Sequence, residues 1–358
     1  MHAYTMFCGV IASVVLVLFF SSCSSTPSTH RFGEEMLPPS HSIVFIIHGD
    51  GNYLYHDTHG NRYRANEETL EGAKKVAKQN TKAEVFIFHQ KPKRRLFGLF
   101  FRLNDGDFYY YRNGRLLASE SYRRDHGRTR LYPEAELYHR FRAGELSETM
   151  NVLLYFGHEI PEFGGKGYDA SFRNEAFTVD DFAGGLKRIT QDSAYFDLIV
   201  LSTCSNGTPY TVSAIAPYTD YIIASPGDLH LSYFDIRPFE SLDAVLHDGD
   251  VFEFAKHYAH QTFERLTKDV LTSVTIAVYD VDRVQQFINS VNNVYENTLR
   301  KIKGENPLSL KRFDCTENPA YAIPEGSEGV YVLHRPSQFG RSQYIENHSG
   351  WTCWRLAE

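Results

Sequence analysis

The sequence predicts an α/β protein, a three-layer α/β/α sandwich built on a mostly parallel sheet. Two observations carry that prediction. Short apolar runs recur along the chain and spill into small-residue loops, as buried strands of such sheets do. Segments with helix-like apolar spacing separate them, and strand–helix–strand order implies parallel neighbours joined by right-handed crossovers.

In chain order, Ile43 to Ile47 reads as a first short strand, followed by the glycine-broken loop HGDGN. Leu70, Ala73, Val76 and Ala77 give Glu67 to Gln79 a helical spacing, and Ala83 to Phe88 reads as a second strand. The basic run Lys91 to Arg95 is expected to be a solvated loop, with a proteolytic processing site as the sharper reading. DGDFYYYRNGRLLASESYRR reads as a hairpin turning at Asn113-Gly114, so an insertion is expected near residues 91–127. Tyr132 to Met150 is expected to be helical and NVLLYF to be a strand. FTVDDFAGGLKRI then supplies a crossover helix, with Thr178 ahead of Asp181 as a cap-like start. YFDLIVL and DYIIAS read as two further strands, Val251 to Leu266 as an amphipathic helix, Leu271 to Val278 as a strand, and Val281 to Ile302 as a long helix. The tail from Cys315 to Arg355 is expected to be an irregular cap holding one late strand, GVYVLH.

The N-terminus does not read as part of the fold. Gly9 to Phe20 is apolar but shorter than the roughly twenty residues a spanning helix needs. It runs into FFSSCSS, so residues 1–22 resemble a bacterial lipoprotein signal. That resemblance implies cleavage before Cys23, acylation of its thiol, and anchoring in the lipid bilayer of the cell envelope, facing the periplasm or exterior. The leader carries His2 but no Lys or Arg ahead of the apolar run, unlike a typical secretory n-region. An uncleaved membrane anchor is the alternative, and both export the chain. Residues 23–40 are polar and Pro-containing, a flexible tether. Residues 41–310 are expected to form the main domain and 311–358 a C-terminal cap within it.

The net charge of −7 is spread over interspersed acids and bases, without the basic stripe that nucleic-acid binding needs. Oxidising compartments favour disulfides, which makes Cys315 and Cys353 a candidate pair; two separate buried thiols are the alternative. Cys204 is then left over, and an unpaired thiol in an exported protein points to reactivity.

The chemistry concentrates where two apolar runs end. NVLLYFGHE delivers His158, and YFDLIVLSTCSNG delivers Cys204 among small polar residues. A thiolate is a strong nucleophile, and an imidazole beside it can take the thiol proton or return one to a leaving amine. Backbone N–H groups of Glu159 and Cys204 are the candidate oxyanion donors. A space-filling cysteine and a satisfied histidine are the bland reading of either residue alone. His48, His56 and His59 with Asp50 and Asp57 form a His/Asp cluster, but no HExxH or CxxC accompanies it, and no metal ligand set is assigned. FIIHGDG resembles the oxyanion loop of α/β-hydrolases; those enzymes present the nucleophile in G-x-S-x-G ahead of the histidine, whereas Cys204 lacks the glycines and follows its histidine.

YFGHE and FDLIVLSTCSNG, with FIIHGDGNYL, FTVDDFAGGL and YTDYIIASPGD, resemble the clostripain-like cysteine peptidases of the caspase–gingipain–legumain fold group. The resemblance implies a caspase-like sheet, with the catalytic histidine ending one strand and the cysteine ending the next. Two departures accompany it. Glu159 stands where the family usually has Gly. Ser202 stands where it usually has the Asp that attracts a basic side chain before the cut, and Asp228 is the candidate replacement. The expected function is a cysteine endopeptidase acting on peptide or protein substrates through an acyl-enzyme on Cys204, with His158 as general acid and base and no metal or organic cofactor. The alternative is a catalytically degenerate relative that binds peptides or acts as an envelope scaffold.

Overall fold

Apolar runs and their caps account for the elements of the computed structural model, which describes residues 38–356 apart from 57–58, 94, 97–100, 125–130, 144–149, 192–194, 230–235, 246–249, 303–309 and 318–328. The leader, Cys23 and the tether up to residue 37 lie outside the described residues, as do Asp57 and Arg94. The chain opens with β1 (His41–Ile47), the small ribbon β2 (Leu54–His56) and β3 (Arg62–Arg64), then helix α1 (Ala65–Gln79) and β4 (Ala83–Gln90). A second ribbon, β5 (Arg95–Leu96) and β6 (Phe101–Arg102), leads into the hairpin β7 (Gly106–Arg112) and β8 (Arg115–Tyr122). Its turn holds Asn113 at φ 51° and Gly114 at φ 75°, the left-handed pair a two-residue hairpin loop requires.

Helix α2 (Tyr132–Phe141) is shorter than the helical expectation for Tyr132 to Met150. The backbone turns extended at Arg142, and Met150 already pairs with His41 as the first residue of β9 (Met150–Phe156). Helix α3 (Val179–Thr190) starts on a reciprocal capping box in which Thr178 and Asp181 each serve the other's backbone N–H. It crosses to β10 (Phe196–Ser202), which is followed by α4 (Pro209–Ile215), β11 (Thr219–Ala224), the single turn α5 (Leu242–Val245) and α6 (Val251–Asp269). β12 (Val274–Asp280) starts three residues later than the apolar run, because Leu271 is exposed and the chain enters the sheet only at Val274. Helix α7 (Val281–Ile302) and strands β13 (Leu310–Asp314), β14 (Val330–Arg335) and β15 (Thr352–Leu356) complete the order.

Nine strands form one sheet in the order β14-β12-β11-β10-β9-β1-β4-β7-β8. Its centre, from β11 to β4, is parallel, and both flanks pair antiparallel, so the sheet is mixed. β14 belongs to this sheet rather than to an irregular cap, while β13 and β15 pair with each other outside it. Both faces of the central strands are covered. Val44, Ile46, Leu153, Tyr155, Ile199 and Leu201 meet α3, α4 and α7 on one side. Ile43, Phe45, Val152, Leu154, Leu198 and Val200 meet α1 and α6 on the other. This is the three-layer α/β/α arrangement. Among the described residues no helix is long and apolar enough to cross a membrane.

Cys315 and Cys353 form a disulfide that closes 38 residues of sequence separation and joins the β13 and β15 segments. Cys315→Ser with Cys353→Ser is therefore expected to lower unfolding free energy by about 2–4 kcal/mol. Urea unfolding with intact and reduced parent protein as controls measures this; an unshifted midpoint would refute a stabilising role.

Candidate active site

Four parallel strands end side by side, and their C-terminal loops build the site. β9 and β10 are in parallel register with Phe156 opposite Ser202, so His158 and Cys204 each lie two residues beyond aligned positions. Gly157 N–H donates to the Ser202 carbonyl at 3.2 Å, and His48 N–H, just past β1, donates to the Phe156 carbonyl at 2.9 Å. A Cβ on Gly157 would sit 2.9 Å from the Tyr168 hydroxyl, 3.0 Å from Tyr155 and 3.3 Å from His48 Cβ. Glycine precedes His158 because three side chains crowd the strand end.

Asn206 joins the two loops. Its amide donates to the Ile160 carbonyl at 2.9 Å, while its Oδ1 accepts from Ile160 N–H at 3.0 Å and from the Thr203 hydroxyl at 2.6 Å. The loop after His158 is thereby fastened to the loop that carries Cys204.

His158 is half-buried and its Nε2 lies 3.5 Å from Asp50 Oδ2, a side chain that is 1% exposed. Burial works against ionisation of Asp50, but His158 and the N–H groups of Asn52 (2.8 Å) and Ala170 (3.0 Å) outweigh it and hold the carboxyl well below its usual range. The Tyr53 ring stacks on the His158 ring at 4.3 Å and 17°, and the Tyr53 oxygen accepts the His158 N–H at 2.9 Å. Tyr53 O–H also meets His48 Nδ1 at 2.6 Å, and His48 Nε2 faces Asp169 Oδ2 at 3.3 Å.

Cys204 is partly buried. Its thiol donates to the Leu229 carbonyl at 3.3 Å, and Leu229 N–H returns to the sulfur at 3.4 Å. Burial pushes the thiol pKa up, Asp228 and Glu159 add to the rise, and Leu229 N–H and Arg312 oppose it. Ser205, immediately after the thiol, is left-handed at φ 48°; its N–H donates to the Gly227 carbonyl and its hydroxyl to Asp228 Oδ1 at 3.0 Å. Asp228 thus stands in the loop after β11, within electrostatic reach of the sulfur. Ser202 is different. It lies within β10, 3% exposed, and its hydroxyl has no hydrogen-bond partner among the described residues.

Glu159 is ion-paired with Arg312 of β13, and the Arg312 guanidinium lies over the Trp354 ring at 4.2 Å. Burial raises the Glu159 carboxyl pKa, with Arg312 opposing. Tyr53, Asn206 and Arg312 carry no mark in the sequence, and Asp50 stands out there only within the His/Asp cluster; in the structure His48 and Asp50 are engaged with Tyr53, Asp169 and His158. Among the described residues no group of three or more His, Cys, Asp or Glu has the geometry to hold a metal ion.

The sequence profile of the clostripain family, peptidase group C11, matches residues 159–346, more than half of the chain. The chain belongs to the clostripain family. The match includes Cys204 and begins one residue after His158. The fold is similar to that of an inactive zymogen C11 protease from Parabacteroides distasonis, at 12% identity over 90% of this chain and 93% of that one, with a TM-score of 0.57. It is similar also to that of a secreted C11 cysteine protease from Bacteroides thetaiotaomicron bound to an irreversible peptide inhibitor, at 11% identity over 89% of both chains, TM-score 0.55. These likenesses concern the clostripain-type, caspase-like fold. None of the curated proteins matches the chain.

The charges around the thiol make its reactivity adjustable in both directions. Glu159→Gln should speed iodoacetamide alkylation of Cys204 at pH 8, and Arg312→Ala should slow it, each by about 2- to 10-fold, as expected for a pKa moved by a nearby charge. Mass-spectrometric rates on the folded variants check this, and equal rates would remove Glu159 and Arg312 as electrostatic neighbours of the sulfur.

Proposed function

We propose that the protein is a cysteine endopeptidase in which Cys204 is the nucleophile and His158 the general acid and base. The observation that carries the reading is the paired placement of His158 and Cys204 just beyond aligned ends of adjacent strands, with ionised Asp50 behind the imidazole. His158 takes the thiol proton as sulfur attacks the substrate carbonyl, then gives it to the departing amine, leaving an acyl-enzyme on Cys204. Water attacks the acyl group with His158 as base, and the thiol is regenerated. Backbone N–H groups of Glu159 and Cys204 are the proposed donors to the carbonyl oxygen as it gains charge. Asp50 is a positioning residue: ionised, it holds the imidazole edge and favours the imidazolium that forms during attack. Asp228 is proposed to shape the pocket for the residue before the cut; Ser202, buried at the end of β10, leaves the charge of that pocket to Asp228.

A second reading has an observation in its favour. The thiol of Cys204 is occupied in both directions by Leu229 and shifted toward its neutral form, as in a relative that retains the cleft for peptide binding alone. An electrophilic peptide separates the two. Covalent labelling of Cys204, abolished by Cys204→Ala and slowed about 100-fold or more by His158→Ala, is expected for the peptidase, since general acid–base assistance is typically worth about 10²–10⁴. Saturable binding without labelling would leave only the binding protein.

Residues 1–22 are proposed to be a lipoprotein-type signal and residues 23–40 a tether, with Cys23 carrying the lipid on the envelope. The sequence FFSSCSS supports this, and the relative from Bacteroides thetaiotaomicron is itself a secreted protease. Metabolic palmitate labelling should mark the full-length chain and disappear in Cys23→Ala, which should also leave the membrane fraction; labelling that persists would overturn the assignment.

A further inference from the structure

Tyr53 has one hydroxyl proton and two partners. The His158 backbone N–H can only donate, so the Tyr53 oxygen accepts from it at 2.9 Å, and the tyrosine's own proton goes to His48 Nδ1 at 2.6 Å. Nδ1 must then be a lone pair, which puts the imidazole proton of His48 on Nε2, facing Asp169 Oδ2 at 3.3 Å. Asp169 is fixed in its turn by Arg124 at 3.0 Å and by Ser171 N–H at 2.8 Å. Every proton along this path therefore has a single direction, from the His158 backbone to the buried Asp169–Arg124 pair. Tyr53 and His48 are each 2% exposed, so solvent cannot stand in for either partner. Burial also favours the neutral imidazole that the path requires of His48.

We propose that the Tyr53–His48 relay positions His158, making a second, buried histidine a positioning residue for the one that moves protons. The proposal rests on the peptidase reading of His158 and adds a part that reading does not need. Asp50 touches only the Nε2 edge of the His158 ring, at the long separation of 3.5 Å. Tyr53 holds the same residue at two other places, the ring face by stacking and the backbone N–H through its hydroxyl. Its hydroxyl is oriented to do this by donating its proton to His48, whose own backbone is hydrogen-bonded to Phe156 two residues before His158. Edge, face and main chain are thus fixed together, and a misplacement of about 1 Å can cost about 10²-fold in rate.

Tyr53→Phe keeps the stacked ring and removes only the hydroxyl. His48→Leu keeps the hydroxyl and removes its acceptor, while His48→Asn returns an amide oxygen near the Nδ1 position. With a fluorogenic peptide substrate, Tyr53→Phe and His48→Leu are each expected to lower kcat by about 10- to 100-fold with KM changed less than about two-fold. The double variant should be no slower than the worse single one, because both cut the same path, and His48→Asn should recover part of the loss. A kcat for Tyr53→Phe within two-fold of the parent, or losses that multiply in the double variant, would overturn the relay. His48→Asn and Tyr53→Phe carry the test if His48→Leu does not fold. Should the parent protein neither cleave nor label, the peptidase reading fails on its own. The relay is then read by NMR from the His158 amide proton, which moves upfield in Tyr53→Phe and by a smaller amount in His48→Asn if the path exists, and stays put in His48→Asn if it does not.

Discussion

The register of β9 on β10 is the constraint on which the site depends. A one-residue slip between parallel strands turns every side chain to the opposite face, and where one face is wet the hydrophobic pattern forbids it. Here both faces of both strands are buried, with Val152 and Leu154 on one side and Leu153 and Tyr155 on the other. Apolar patterning alone therefore leaves the register weakly specified. The polar ties at the strand ends supply what it lacks. Gly157 N–H on the Ser202 carbonyl extends the ladder by one residue, and the Asn206 amide on both groups of Ile160, a side-chain tie, can form in one alignment only. Buried hydrogen bonds of this kind are costly to leave unmade, so a slip would forfeit both Asn206–Ile160 bonds at once.

The C-terminal ribbon is part of the same construction. Thr352 donates from its backbone to the Gly207 carbonyl at 2.9 Å and from its hydroxyl to Pro226, fastening β15 to the loops after β10 and β11. Trp354 on that strand donates to Glu162 at 3.0 Å and offers its ring face to Arg312. Arg312 in turn balances Glu159, the carboxylate one residue after His158. Without that guanidinium, only the Leu229 N–H would offset the effect of the two carboxylates on the partly buried thiol. Glu159 and the arginine brought by the ribbon form one ion-paired arrangement.

Much of the fold was legible in sequence because it is encoded locally. The runs HSIVFII, AEVFIF and FDLIVLS are strands for the reason they look like strands. The capping box at Thr178 and the Asn113-Gly114 turn are each written within four residues. What was not legible depends on which strands become neighbours. β1 lies beside β9 although more than a hundred residues separate them, and that adjacency brings Asp50 and Tyr53 to His158. The helix expected through Met150 failed for a similar reason, since pairing with β1 recruits Met150 into a strand. His158 and Cys204 stood out because a reactive residue just past an apolar run is a local pattern. Arg312 carried no such mark, and only the path of the ribbon explains its place.

The turn that carries the thiol combines strain and charge in one residue pair. Ser205 is held left-handed, a conformation that costs a non-glycine residue roughly 1 kcal/mol or more. Its N–H on Gly227 and its hydroxyl on Asp228 offset that cost and keep the preceding Cys204 facing Leu229. The same Asp228 carboxylate raises the thiol pKa. Holding the turn in shape therefore works against ionising the sulfur, which in the proposed mechanism is met by His158 acting as base during attack. A pre-formed thiolate would bear the full electrostatic cost of Asp228 and Glu159. In the proposed mechanism the thiol gives up its proton only as the carbon–sulfur bond forms, so the sulfur never carries that charge in full.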